Sequence, residues 1–248
     1  MRYVDIIQKR RMFEERKPFP EGFRQKASKL NLFDFAYYDL RLNGSNLTAE
    51  GVWRIVNGGM VPGASVQDHA AVSRYRALLE LFADMIGMKI SLDERQLTRV
   101  YATLSDEPEP KYRIGTPILY HLDYTPPLPE DIRDLMRAIF RSLSEDPAML
   151  GKYGAHSDSK NAIRRAALMH DRIICVYPYD RCSEGLARAA LQFELISAGF
   201  PIAPLDIPET EYNNRIAKAL RSGDEGALEE IIIAGLDKKY DNLLKLLD

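Results

Sequence analysis

His170-Asp-Arg-Ile-Ile-Cys-Val-Tyr-Pro-Tyr-Asp-Arg-Cys-Ser-Glu-Gly-Leu-Ala-Arg188 joins two apolar runs through one polar turn. Upstream, Ala162, Ile163, Ala166, Ala167, His170, Ile173 and Ile174 fall on one side of a helix over 159–176. That helix runs into Tyr177-Pro178. Downstream, the stretch 183–198 is apolar on most faces and ends at Gly199, a residue suited to a helix C-cap. A helix this apolar belongs in the middle of a bundle. A helix, a turn and a second helix N-terminus together offer unpaired backbone N–H groups and the positive end of a helix dipole, which is a place for an anion. Arg188 lies about one and a half turns into the second helix, within reach of such an anion.

Outward from this stretch the chain reads as helix after helix. Ala70, Ala71, Tyr75, Leu78, Leu79, Phe82 and Ile86 mark a helix over 66–86. Ser91 with Glu94 has the pattern of a capping box opening a helix over 91–104. Pro129, with Glu130 and Asp131, starts another, whose buried face is Ile132, Leu135, Met136, Ile139, Phe140 and Leu143. Further helices are expected over 209–221, 225–234 and 237–247. One segment departs from this pattern. Lys111-Tyr-Arg-Ile-Gly-Thr-Pro-Ile-Leu-Tyr-His-Leu-Asp123 is rich in β-formers, with Gly115 and Pro117 inside it. It reads as a short hairpin or an extended flap on a helical body. No repeat or low-complexity tract is present.

Composition bounds the function. The chain has 248 residues, 46% apolar and 28% charged, with a net charge of −2. These values exclude intrinsic disorder and a disulfide scaffold, and give no global pull toward nucleic acid or anionic lipid. Two cysteines, Cys175 and Cys182, are too few for a zinc site and read as reduced thiols. Cys182, beside a helix N-terminus, is the candidate for a reactive thiol, with Glu184 opposing it. The start has no secretory signal, and no run is long and apolar enough for a membrane helix, so the expected location is cytoplasmic. The first 30 residues hold nine lysines and arginines against four acids, read as a solvated helical face or a basic arm for a partner.

The stretch 177–188 resembles the core of the Fic (Fido) family, whose motif is His-Pro-Phe-x-(Asp/Glu)-Gly-Asn-Gly-(Arg/Lys)-x-x-Arg. Asp39-Leu-Arg-Leu-Asn-Gly-Ser-Asn-Leu-Thr48 is similar to the family's inhibitory segment, Lys111-Tyr-Arg113 to its flap, and Tyr124-Thr-Pro-Pro127 to the passage after it. The resemblance implies an all-α Fic-like fold with a small β-hairpin flap. Its divisions would be a basic helical extension over 1–29, a Fic-like domain over 30–236 and a C-terminal helix over 237–248. That last helix is either a homodimer contact or a cover for the core.

The departures from the motif bear on chemistry. Tyr177 stands where AMP-transferring members have the His that deprotonates the target hydroxyl. A phenol with a pKa of about 10 is a poor base at neutral pH. Arg181 stands at the acidic metal-ligand position and cannot hold a cation; Asp180 is the only nearby substitute. Cys182-Ser183-Glu184 replaces the Gly-Asn-Gly turn, and Glu184 puts a like charge beside any phosphate, a repulsion of about 1–4 kcal/mol. Gly185 replaces the first motif arginine, and Asn43 the inhibitory glutamate, so a brake between those two positions is not expected. Ser183, Gly185 and Arg188 remain as anion-site positions. Against that, Asp180 and Glu184 are expected to pair with Arg181 and Arg188 in a closed network.

The reading is therefore a degenerate Fic-fold protein without AMP transfer, acting on a protein partner through Lys111, Tyr112, Arg113, Ile114, Ile118 and Tyr120. Its alternative is a divergent transferase that moves AMP or a related phosphate-linked group, with Asp180 on a metal and Arg188 on phosphates. ATP with Mg²⁺ is the cofactor pair implied only in that alternative; no catalytic residue or other cofactor is assigned. Nucleic acid and membrane are not expected partners.

Overall fold

The computed structural model describes residues 3–145 and 159–247. Its helices are α1 (Tyr3–Glu14), α2 (Phe23–Leu42), α3 (Ala49–Val56), α4 (Val66–Gly87), α5 (Glu94–Ser105), α6 (Ile132–Glu145), α7 (Ser159–Val176), α8 (Ser183–Ser197), α9 (Glu209–Ser222) and α10 (Glu229–Lys245); a 3₁₀ turn over Pro129–Asp131 leads into α6. No strand forms among the described residues. None of these helices is long and apolar enough to cross a membrane.

α8 is the central helix, as its composition predicts: every residue from Gly185 to Leu195 is buried. It packs most extensively against α7. Ala162, Ala166 and Ala167 of α7 and Ala187, Ala189 and Ala190 of α8 are all buried. Small side chains there permit close packing of the helices. On its other side Phe193 meets Phe82 of α4 edge-on at 5.3 Å, and Phe35 of α2 reaches Tyr75 of α4 at 5.0 Å. Gln192 ties the chain after α8 back to it, donating to Ala203 O at 2.7 Å and accepting from Ala203 N at 2.9 Å. Gly199 closes α8 with φ +80, and Phe200 N–H donates back to Leu195 O at 2.9 Å.

The basic N-terminal helix is partly consumed by the body. Lys9 bridges Asp237 and Asp241 of α10, both at 2.7 Å. Arg10 donates to Ala198 O at 3.0 Å and lies over the Phe200 ring. α2 is continuous across position 29 and α10 across 236, so the expected divisions at those points fall inside helices. A buried ion pair, Lys239 to Asp34 at 2.7 Å, joins the same two helices.

Four expectations change. The α5 cap is Asp93, which accepts from Gln96 N–H at 2.7 Å, rather than a box from Ser91; its extended backbone and short carboxylate suit the N-cap. The expected helices over 225–234 and 237–247 are one, α10, because Gly235 is a point of close approach and not a break. A Cβ there would stand 2.3 Å from Pro204 O. Gly235→Ala is thus expected to destabilise by about 1–3 kcal/mol in urea unfolding, although helix propensity alone favours alanine. A neutral or stabilising result would contradict the packing argument.

The third change is the flap. Segment 111–128 carries one isolated antiparallel bridge, Leu119 with Tyr124, and no hairpin. Pro117 has no N–H to give a ladder. Arg113 N–H bonds to Pro178 O at 3.0 Å, so the segment leans on the turn before α8 and not on itself. It is the extended flap of the two forms expected. The fourth change concerns the closed network around Arg188, whose partners are different ones.

Candidate functional site

Turn 177–182 is held by its own side chains. Tyr177 sits at φ 47 and Cys182 at φ 56, both left-handed. Ser183 Oγ accepts from Tyr179 N–H at 2.9 Å and donates to Tyr179 O at 2.8 Å, which closes the loop. Tyr179 stacks on Tyr101 of α5 with centroids 3.7 Å apart. Ser183, expected at an anion site, is wholly buried and spent on this closure.

Tyr177 is buried against the body. Burial, and then the neighbouring Glu184 carboxylate, push its phenol up to about 12. It stays protonated at neutral pH and cannot act as a base there. The Cys182 thiol is also pushed up, by desolvation first, which removes the expected activation at the helix N-terminus.

Arg188 is 1% exposed. Its Nε donates to Asp39 Oδ1 at 2.5 Å, Nη2 to Asn43 Oδ1 at 2.5 Å and Nη1 to Tyr212 Oη at 3.3 Å. Asp39 Oδ2 in turn accepts from Tyr75 Oη and, at 2.8 Å, from Asn43 Nδ2. Burial disfavours the guanidinium charge, but the Asp39 carboxylate more than compensates and holds Arg188 well above its ordinary range. The network continues inward. Tyr212 Oη meets His170 Nε2 at 2.8 Å, His170 Nδ1 meets Asp171 Oδ1 at 2.9 Å, and Asp171 Oδ2 accepts from Gly226 and Ala227 N–H. His170 is a buried link in a hydrogen-bonded chain.

The closed network is therefore built on Asp39 and not on Asp180 or Glu184. Arg181 is exposed, with Glu107 at 4.0 Å, Asp180 is exposed, and Glu184 turns to His121 Nε2 at 2.7 Å. Asn43 touches a different arginine, Arg188, which is a contact the expectation about positions 43 and 185 did not address. At Gly185 a Cβ would meet Leu104 at 3.2 Å, a tight contact, and Asp39 Oδ2 at 3.7 Å, so any side chain there is placed against the Asp39–Arg188 pair. Asp39 went unrecognised as the key partner. Its signal was present: it stands one helical turn before Asn43, on the same face, in the apolar run Phe35-Ala36-Tyr37-Tyr38.

The flap residues divide into two sets. Arg113 is 2% exposed and reaches only backbone carbonyls: Tyr177 O from Nε and Gly115 O from Nη1, both at 2.7 Å, with Pro127 O and Val176 O at 2.5 and 3.2 Å from Nη2. Tyr112 donates to Glu94 Oε1 at 2.7 Å. Lys111 is exposed, and so are Ile114 at 94%, Tyr120 at 84% and Ile118 at 58%. Among the described residues, N–H of Ile114, Thr116 and Ile118 have no backbone acceptor.

No family model matches the chain. Among curated proteins it is similar to protein adenylyltransferase fic-1 of Caenorhabditis elegans, 25% identical over 181 residues covering 71% of this chain. It is also similar to protein adenylyltransferase Fic of Nematostella vectensis, 26% identical over 185 residues and likewise 71% of this chain. The chain spans only 34% and 40% of those proteins' lengths. Among solved structures, a Fic domain containing signaling protein from Bacteroides thetaiotaomicron superposes with a TM-score of 0.79 at 17% identity, covering 98% of this chain and 97% of that one.

Proposed function

We propose that this chain, which has the Fic fold, does not transfer AMP and acts by holding a protein partner along segment 111–128. The observation that carries this reading is the occupation of Arg188: Asp39, Asn43 and Tyr212 take its hydrogen bonds, and burial seals it from solvent. An arginine so engaged has no free fork for a phosphate.

The residues do not fit ATP with Mg²⁺. The position at which the motif carries its single acidic metal ligand holds Arg181, exposed and cationic in type, and a guanidinium cannot ligate a cation. Glu184, in the first turn of α8, sets a carboxylate close to the helix N-terminus that would receive a phosphate. Tyr177, at the position of the motif base, does not replace it, because burial and Glu184 push its phenol up to about 12. These replacements support the reading that the activity printed for the relatives, protein adenylyltransferase, is not retained here.

Partner holding is supported by the exposed row Ile114, Ile118, Tyr120 and Leu128 on a segment anchored by Arg113. Large apolar side chains exposed together on a fixed backbone suit an interface, and the free N–H groups suit an added extended chain. Cross-linking capture from a cell extract tests it, with wild type beside Ile118→Asp/Tyr120→Asp. The reading expects the variant to lose captured protein by about tenfold or more while its unfolding transition stays put. Equal capture by the variant, or transfer of labelled AMP from ATP onto protein that Arg188→Ala abolishes, would overturn it.

A further inference from the structure

The tip of segment 111–128 is fastened to the body on both flanks of its turn. The turn is closed by four backbone N–H groups: Leu119 donates to Tyr124 O at 2.9 Å, Leu122 and Tyr124 to Leu119 O at 2.9 and 3.3 Å, and Asp123 to Tyr120 O at 3.3 Å. On one flank His121 Nε2 lies 2.7 Å from Glu184 Oε1, in the first turn of α8. On the other, Asp123 accepts from Arg221 of α9 at 3.3 Å, and Tyr124 Oη donates to Cys175 O, near the end of α7, at 2.9 Å. Tyr120, next to His121, is exposed.

We propose that the His121–Glu184 contact is a proton-operated clasp on this tip, an ion pair that holds it when the imidazole is charged and a weaker neutral hydrogen bond when it is not. The proposal rests on the reading of the segment as a docking surface, which the clasp would regulate. An imidazolium on a carboxylate makes a charge-assisted bond, and imidazole charge changes between about pH 5 and pH 8. The other groups facing the clasp keep their charge in that window. From the turn before α8, Tyr177 remains a neutral phenol, its pKa held at about 12. From α8, Arg188 is held well above its ordinary range by Asp39 and stays cationic; from α9, the Tyr212 phenol is pushed up by burial and stays neutral, and Arg221 is engaged by Asp123. On the α7 side, the Tyr124 phenol is pushed up by burial and by Cys175, and stays neutral. Between about pH 5 and pH 8, where the carboxylate stays ionised, the bond is strongest at the acid end and weakens as pH rises.

The test is amide hydrogen exchange on the free chain, read at Leu119, Leu122, Asp123 and Tyr124 and corrected for intrinsic exchange. Protection is expected to be about threefold higher at about pH 5.5 than at about pH 8, the effect of one partly exposed ion pair. His121→Gln, which keeps a donor but does not titrate, is expected to show equal protection at both pH values, and Glu184→Gln to flatten the dependence likewise. Equal protection in wild type at both pH values overturns the clasp. So does a pH dependence that persists in His121→Gln. No partner enters this measurement, so lost capture with an intact clasp would sink the docking reading alone.

Discussion

Asp39→Ala is expected to lower the free energy of unfolding by about 3–5 kcal/mol, measured by urea denaturation followed by circular dichroism. The substitution leaves Arg188 as a cation inside the protein with no counter-charge. It also leaves the buried Tyr75 hydroxyl without its acceptor, while the Asn43 amide, on an exposed residue, turns to water. Arg188→Ala is expected to cost a similar amount, since Asp39 is then the unpaired buried charge. The double substitution is expected to cost clearly less than the two single losses added together, because one pair is being removed twice. Simple addition would mean that the two side chains do not share their energy, and the network described here would be wrong.

Arg113→Ala is the second large expected effect, about 2–4 kcal/mol. Arg113 bonds to no carboxylate; its side chain serves four carbonyls, two of them at the end of α7 (Val176) and the left-handed residue after it (Tyr177). Removing it frees segment 111–128 at its root and leaves the carbonyls of Val176 and Tyr177 without their donor. Exchange at the Arg113 amide, now bonded to Pro178 O, is expected to rise sharply. Arg113→Lys keeps the charge but not the planar fork, and is expected to recover less than half of the loss. Full recovery by lysine would show that charge, and not the bonding pattern, is what matters.

These two residues also mark where sequence reading stops. The apolar face of α7 follows from periodicity and the end of α8 from the cap at Gly199, since an apolar face repeating at three and four residues has one low-energy form. Gly235 breaks a helix by propensity, yet here it serves contact with Pro204, a neighbour distant in sequence that periodicity does not register. The β-formers of 111–123 were legible as extended chain, but their pairing was not, because the partner of Arg113 is the backbone at 176–178. Arg113 reads as a surface charge in one dimension; only folding surrounds it with carbonyls. In the same way the motif turn was legible as chemically altered at Tyr177, Arg181 and Glu184. The charge that closes on Arg188 lay elsewhere, on α2, and required the packing of α2 against α4, with Tyr75 between them, to be seen.

The central claim is that the last motif arginine is consumed inside the protein. Calorimetric titration with ATP and Mg²⁺ tests it most directly. The account predicts no saturable heat for the wild-type chain at concentrations up to about 1 mM, equivalent to less than about 4 kcal/mol of binding free energy. Saturable micromolar binding that disappears in Arg188→Ala would contradict it, because it would require Arg188 to leave Asp39 for a phosphate.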